Sequence, residues 1–367
     1  MMFERSPEFE SLMGRVQACR ACPRMCGSVR VLSWANGRPD APLMFIGEAP
    51  GRLGADRTAI PFHGDKAGDN FERLLELARL NRSDVFVTNA ALCNPRDEKG
   101  NNAPPSSREI LNCAIHLKAQ IEIVQPLMVM TLGAVALEAT RLIEPHELVL
   151  REAVRTAHKW HDRLLLPLYH PGARAMIHRS FANQTADYYF VGETFRRAKS
   201  GRRSRPQAEV RGSEQDWALV SYLLRRSGRI SNFRLHKLLY LIDLKSTEAL
   251  ASRATGFLYL RQKNGPYCVE LGSRWYQRFG TSLSIRKTSN GELLLQWQNS
   301  TLFDEDPALD LSPDLKDLAD QIVLSTSSLS DAQLKTRAYL TGPMKQVLRA
   351  EKAGQSTLNQ PLLAAAA

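Results

Sequence analysis

Apolar positions along this chain fall into two kinds of pattern, and their order sets the fold to expect. Short runs rich in branched apolar residues, Leu43–Ile46, Val85–Thr88, Leu127–Thr131 and Leu164–Leu168, read as buried strands. Between them lie segments with apolar residues at helical spacing. One carries Phe71, Leu74, Leu75 and Ala78. Another opens at Ser106 with Glu109 three residues on, a capping box, and carries Leu111, Ile115 and Leu117. This alternation predicts an α/β sandwich, a largely parallel central sheet between layers of helix. The first strand ends abruptly in Gly47-Glu48-Ala49-Pro50-Gly51, a tight loop that sets one carboxylate between glycines and a proline. Loops at the carboxyl ends of strands are where ligands bind in such sheets. Glu48 is therefore either a loop cap or a group aimed at something reactive.

The second half has a different texture. Helical patterns cover Trp217–Arg225 and Phe233–Leu244, and "SIRKTSNGELLLQW" reads as a hairpin turning at Asn290-Gly291. Ser312-Pro313-Asp314 starts a further helix, with Ser as cap and Pro at its first position. These elements predict a smaller α+β domain. Between the halves, Arg196, Arg197, Lys199, Arg202, Arg203, Arg205 and Arg211 crowd a stretch with few apolar residues. Such a segment cannot build a core; it reads as a solvated hinge or as a basic strap on a phosphate backbone. The expected division is residues 1–195, a basic linker over 196–213, a domain over 214–350 and a disordered tail over 351–367.

Charge and cysteine content change this picture. With 49 Lys+Arg against 38 Asp+Glu the net charge is +11, which favours a polyanionic partner, nucleic acid by default. No apolar run is long enough for a bilayer, and the start lacks a signal-peptide core, so a cytoplasmic protein is expected. In a reducing compartment six cysteines point to metal or redox chemistry rather than disulfides. Cys19 and Cys22 form a CxxC at the end of an N-terminal helix, and Cys26 follows. Cys93 lies just past a strand, Cys113 sits on the helix opened by Ser106, and Cys268 stands alone. Four thiolates suffice for tetrahedral zinc or an iron–sulfur cluster, and spacing alone does not choose.

Five stretches in order, "GEAPG" (47–51), "DRTAIPFHGDKAG" (56–68), "VTNAALCNP" (87–95), "TLGAVALEA" (131–139) and "YHPG" (169–172), resemble the successive motifs of uracil-DNA glycosylases. The similarity is to the iron–sulfur families four and five and spans roughly residues 15 to 195. It implies a uracil-DNA-glycosylase-like three-layer fold and a four-iron four-sulfur (4Fe-4S) cluster on Cys19, Cys22, Cys93 and Cys113, with Cys26 spare. It also implies roles in base excision from DNA, single- or double-stranded, with the base flipped out. Phe62 matches the stacking phenylalanine, Asn89 the reader of the base edge, His170 the donor to the base oxygen, and Glu48 the carboxylate facing the sugar or water. Gly47 and Ala49 would line the base pocket through main-chain groups. Gly133, opening a helix, would offer N–H groups to a phosphate. Arg174 and Met176 would fill the hole left by the flipped base. Asp56 reads as a support for the loop or for Arg57 rather than as the catalytic carboxylate.

Three departures bear on the base. Ala59-Ile60 stands where the families carry Gly-Arg, Gly172 stands where serine is common, and nineteen residues separate Cys93 from Cys113. In the second half, "FRLHKLLYLIDLKS" (233–246), "YLRQKNGPYCVEL" (259–271) and "AYLTGPMK" (338–345) are similar to the Panacea domain, which recurs in antitoxins and phage-linked genes. The resemblance implies a protein partner for this domain and an antiviral context. The expected function is a monofunctional glycosylase acting on uracil or a modified pyrimidine, such as hydroxymethylated or glucosylated cytosine. The competing reading is a non-catalytic DNA or modified-base binder that recruits a partner through its C-terminal domain. Joint presence of Glu48, Phe62, Asn89 and His170 favours the enzyme.

Overall fold

The computed structural model describes residues 6–200, 212–272, 275–289, 291–298 and 311–363. The chain divides into two compact units, Met1–Ala208 and Glu209–Ala367.

The first unit contains, in order, α1 (Pro7–Ala18), β1 (Leu43–Gly47), α2 (Ala55–Thr58), α3 (Lys66–Leu77), β2 (Val85–Asn89), α4 (Ser107–Val124), β3 (Met128–Leu132) and α5 (Ala134–Arg141). It continues with α6 (Leu150–Ala153), β4 (His158–Trp160), β5 (Arg163–Leu168), α7 (Ala173–Met176) and α8 (Phe181–Lys199). The sheet order is β2-β1-β3-β5-β4, parallel except for β4 at one edge. The four expected strands lie within a residue of their observed bounds. Every residue of β1, β2 and β3 is buried, as covering helices on both faces require. Alternation along β1 sends Met44 and Ile46 into the core formed with Phe9, Leu12, Leu117 and Ile121. Phe45 points the other way, 5.2 Å from the ring of Phe71 and 5.8 Å from that of Tyr188.

The parallel register puts the strand ends together: Gly47 of β1 pairs with Asn89 of β2, and Leu132 of β3 with Leu168 of β5. Four loops carrying Glu48, Ala90, Gly133 and His170 therefore leave one rim of the sheet.

The helix opened by Ser106 forms with the expected cap, Glu109 N–H donating to Ser106 Oγ at 3.3 Å and Ser106 N–H to Glu109 Oε2 at 2.8 Å. Its buried stripe differs from the expected one. Ile110, Leu117, Ile121 and Val124 face the core, while Leu111 and Ile115, four apart on another face, are 52% and 71% exposed. The linker reading is corrected at its start. Helix α8 runs through Lys199, so Arg196, Arg197 and Lys199 are helical. Arg196 is committed to Glu193 at 2.5 Å and to the carbonyl of Ala78 at 3.3 Å. Residues 201–211 lie outside the described ones.

The second unit contains α9 (Glu214–Ser227), β6 (Arg229–Ser231), α10 (Asn232–Leu250), β7 (Tyr259–Gln262), β8 (Gly265–Cys268), β9 (Leu283–Lys287) and β10 (Leu293–Trp297). It ends with α11 (Pro313–Thr326), α12 (Asp331–Tyr339) and α13 (Gly342–Lys352). Strands β6, β10 and β9 form an antiparallel sheet, and β7 pairs with β8. The expected hairpin is present as β9–β10. Gly291 has φ 80°, the conformation such a turn needs, and Asn290 lies outside the described residues. Ser312 caps α11 as expected. Cys268 is wholly buried in this unit's core beside Tyr259 and Leu239, which makes it a packing residue.

The expected disordered tail is corrected. Residues 359–362 pair with β7: Arg261 N–H donates to the Gln360 carbonyl and Leu362 N–H to the Tyr259 carbonyl, at 2.8 and 2.9 Å, while residues 364–367 lie outside the described ones. Leu362 and Leu363 are buried in the core, so this segment satisfies a strand edge and adds apolar burial. Among the described residues no helix is long and apolar enough to cross a membrane.

Candidate active site and cysteine centre

The site is built around Gly47, the last residue of β1. A Cβ there would fall inside the contact distance of Asn89 Oδ1 and lie 2.9 Å from Phe62 Cε2. Two of the expected base-binding side chains thus converge on one glycine Cα, and only hydrogen fits between them. Asn89 is 3% exposed and held by the sheet, since the ladder continues past it: Ala90 N–H donates to the Gly47 carbonyl and Ala91 N–H to that of Glu48, at 2.8 and 3.0 Å. The same bond fixes the backbone of Glu48, whose neighbour Ala49 is half-buried in the loop.

Phe62 has φ 50°, a left-handed backbone that a bulky residue rarely adopts. The turn into α3 enforces it. A Cβ at Gly68 would strike the Phe62 carbonyl, and Asp65 Oδ1 caps the helix by accepting from Gly68 N–H at 2.9 Å. Behind the ring stands an aromatic column. Phe71 lies 4.9 Å from Phe62, Phe45 lies 5.2 Å from Phe71, and Tyr188 lies 5.8 Å from Phe45. The strained Phe62 is a rigid platform.

His170 follows β5, its ring centroid 5.5 Å from that of Phe62. Its Nδ1 accepts from Gly172 N–H at 3.0 Å, which assigns the proton of the neutral ring to Nε2. Burial lowers its pKa, opposed by the charge of Asp65, and so keeps the ring neutral with Nε2–H as a donor. Asn70 Nδ2 holds the Pro171 carbonyl at 2.8 Å, and Gln184 Nε2 holds that of His170 at 3.3 Å. Neither residue stands out in the sequence, since Asn70 and Gln184 both sit among other polar residues of their helices. Burial pushes the Glu48 carboxyl above its usual range, and the cation of Arg174 pulls it back.

Other expected residues sit differently. The N–H of Gly133 is engaged by the Leu168 carbonyl at 2.8 Å, so Gly133 itself offers none to a phosphate; α5 begins just after it. Met176 is half-buried, whereas the next residue, Ile177, is 81% exposed and Arg174 is also exposed. Asp56 is 6% exposed and pairs with Arg96, not Arg57, while accepting from Val29 N–H at 3.0 Å. It is a structural support.

The cysteines form a second feature. Cys19 ends α1, Cys22 precedes the 3₁₀ turn Pro23–Met25, Cys93 follows β2, and Cys113 lies in α4. All four, with Cys26, line one cavity of about 370 Å³, part of it open to solvent. Burial pushes the Cys93 thiol up to about 11 and that of Cys113 to about 12, with the other cysteines adding to both. Two sulfurs accept hydrogen bonds: Cys113 from Leu92 N–H at 3.4 Å and Cys22 from Asn112 Nδ2 at 3.5 Å. Arg24 braces the shell by donating to both Glu109 oxygens, at 2.7 and 2.6 Å, and so ties the Cys22 turn to the helix bearing Cys113. Among the described residues no three His, Cys, Asp or Glu side chains meet around one metal ion. The thiols surround a space rather than a point. An all-sulfur donor set, N–H groups aimed at sulfur and a cavity between fit a polynuclear cluster.

Comparison with known proteins gives the following similarities. The sequence profile of the uracil DNA glycosylase superfamily matches residues 34–190. A type-4 uracil-DNA glycosylase of Thermotoga maritima is 36% identical over 136 residues, 37% of this chain and 67% of the relative. A type-4 enzyme of Archaeoglobus fulgidus is 26% identical over 189 residues, 50% of this chain and 92% of the relative. A type-5 enzyme of Thermus thermophilus is 30% identical over 159 residues, 35% of this chain and 70% of the relative.

Proposed function

Since this chain belongs to the uracil-DNA glycosylase superfamily, we propose that it is a monofunctional DNA glycosylase that hydrolyses the N-glycosidic bond of a flipped-out uracil and leaves an abasic site. The observation that supports this most directly is the crowding of Asn89 and Phe62 against Gly47, with His170 5.5 Å from the Phe62 ring. A flipped pyrimidine stacks on Phe62 and is read along its edge by the Asn89 amide. The bond breaks with positive charge growing on the sugar and negative charge on the departing base. Neutral His170 donates Nε2–H to the base oxygen. Glu48 carries the carboxylate that faces the sugar and orients the attacking water. Lys66, which opens α3 just past Phe62, has an 80% exposed side chain and pairs with Asp69, which agrees with hydrolysis rather than amine attack.

Cys19, Cys22, Cys93 and Cys113 would hold a 4Fe-4S cluster, which supplies cross-links between α1, the segment after β2 and α4. Thiols with raised pKa must lose their protons to bind it, and the irons supply the charge that makes this favourable. Arg174 and the exposed Ile177, rather than half-buried Met176, suit the gap left by the flipped base.

The second reading extends the substrate to 5-modified cytosine in phage DNA, with the C-terminal unit recruiting a protein partner in antiviral defence. It is favoured by Ala59-Ile60, where Ala59 takes a left-handed φ of 59° and Ile60 brings an apolar side chain near Phe62 in sequence. One comparison tests both readings: free base released from uracil-containing duplex against base released from phage DNA with hypermodified cytosine. Release from uracil DNA alone supports the first reading; release from phage DNA alone supports the second.

A further inference from the structure

The long segment between Cys93 and Cys113 makes an excursion that returns to the Glu48 loop. Asp97 Oδ1 accepts from the backbone N–H of Lys99 and Asn101 at 3.0 and 2.7 Å, and Gly100, at φ 76°, completes the turn. Arg96 and Asn102 then pair as an antiparallel bridge, so Asn102 comes back to a defined place. There its Oδ1 accepts two hydrogen bonds, from Arg52 N–H at 2.9 Å and from Asn94 Nδ2 at 3.0 Å. Asn94 is 1% exposed and directly follows Cys93. Its Nδ2 also donates to the Pro50 carbonyl at 2.5 Å, and its Oδ1 accepts from Arg96 Nε at 3.1 Å. The backbone carbonyl of Asn94 accepts from Ser28 Oγ at 2.7 Å, which ties it to the chain just past Cys26.

We infer that Asn94 and Asn102 are positioning residues that lock the Glu48 loop to the cysteine-bearing segment. This rests on the catalytic reading of Glu48 given above. Pro50 and Arg52, the two points they grip, follow Glu48 by two and four residues. With both Nδ2 protons and Oδ1 of Asn94 engaged, its amide has one orientation, and the loop backbone is held from two sides. The extra length after Cys93 thus delivers an acceptor, Asn102 Oδ1, to the amide of Arg52. A carboxylate displaced by about 1 Å from its productive place loses up to about 10²-fold in rate.

Asn102 is exposed, so its replacement opens no core cavity. Asn102→Ala removes the shared acceptor and Asn102→Asp keeps it. We expect Asn102→Ala to slow single-turnover base release about tenfold, with DNA affinity and visible absorbance of the cluster unchanged, and Asn102→Asp to restore most of the rate. Hydrogen exchange at the Arg52 amide reads the same contact without reference to activity: faster in Asn102→Ala, as wild type in Asn102→Asp. Asn94→Ala, if it folds, should show both effects. Wild-type rate and exchange in Asn102→Ala, or an Asp variant as impaired as the Ala variant, would overturn the inference. The expected exchange pattern in a protein that releases no base would uphold the positioning contacts and refute the catalytic reading of the loop instead.

Discussion

Replacing Gly47 by Ala probes the base pocket at its tightest point. The added Cβ would lie 2.9 and 3.1 Å from Phe62 Cε2 and Cζ and closer still to Asn89 Oδ1. Ordinary carbon–carbon contacts begin near 3.5 Å, so the ring must retreat by about half an ångström and the amide by more. Neither can do so freely. Phe62 is backed by Phe71 at 4.9 Å, and Asn89 is fixed in β2. Overpacking of this kind costs about 1–3 kcal/mol. For a unit of this size that lowers Tm by about 2–12 °C. Because both displaced groups are the ones proposed to hold the base, the rate should fall further than stability does, by about 10²-fold. The assay is single-turnover release of uracil from duplex DNA well below the variant's Tm, with binding to undamaged DNA measured in parallel. A folded Gly47→Ala protein with wild-type rate would refute the pocket as described.

Further outcomes follow from the same geometry. His170→Ala should lower excision by about 10²–10³ with non-specific DNA binding intact, since it removes one donor to the departing base. If Glu48 acts as the proposed carboxylate, the rate should fall on the acid side at a pH above the ordinary carboxyl range, because burial raises its pKa; Arg174→Ala, removing the cation that lowers it, should move this limb to higher pH. Wild-type protein should be brown and Cys113→Ser colourless; colourless wild type with stoichiometric zinc would refute the proposed cluster. Glu109 is held down to about 2 by Arg24, so their pairing stabilises above the ordinary carboxyl pKa and is lost as pH falls from about 4.5 toward 2. Arg24→Ala should therefore make acid bleaching begin at higher pH.

Much of the glycosylase-like unit was legible because its signals are local. Four apolar runs bounded by turn residues became β1, β2, β3 and β5, and Ser106 with Glu109 marked the start of α4. The candidate site residues that the structure brings together, Phe62, Asn89 and His170 around Gly47, sit on quoted motifs, most of them at strand ends. What failed depended on tertiary placement. The exposure of Leu111 and Ile115 follows from which face of α4 meets α1 and the sheet, and two competing apolar stripes cannot be ranked from spacing. The basic run beginning at Arg196 hid the end of a helix, because Arg196 is paired with Glu193 and donates to the Ala78 carbonyl, partners that spacing does not show. The expectation of a disordered tail passed over Pro361-Leu362-Leu363, an available sign of burial. Asn94 lies inside the "VTNAALCNP" stretch and Asn102 in the segment after it, but nothing local in either place shows what their side chains grip. Their importance arises from four hydrogen bonds between segments that share no local pattern.

The most direct test of the central claim is the fate of the base. Purified protein, in excess over a duplex with a single uracil, should release free uracil in proportion to DNA and leave an alkali-sensitive abasic site, and Glu48→Gln should suppress both. Tight binding of that duplex with no free base and no abasic site, by wild type carrying its full cluster, would contradict the account and leave a binding module in its place.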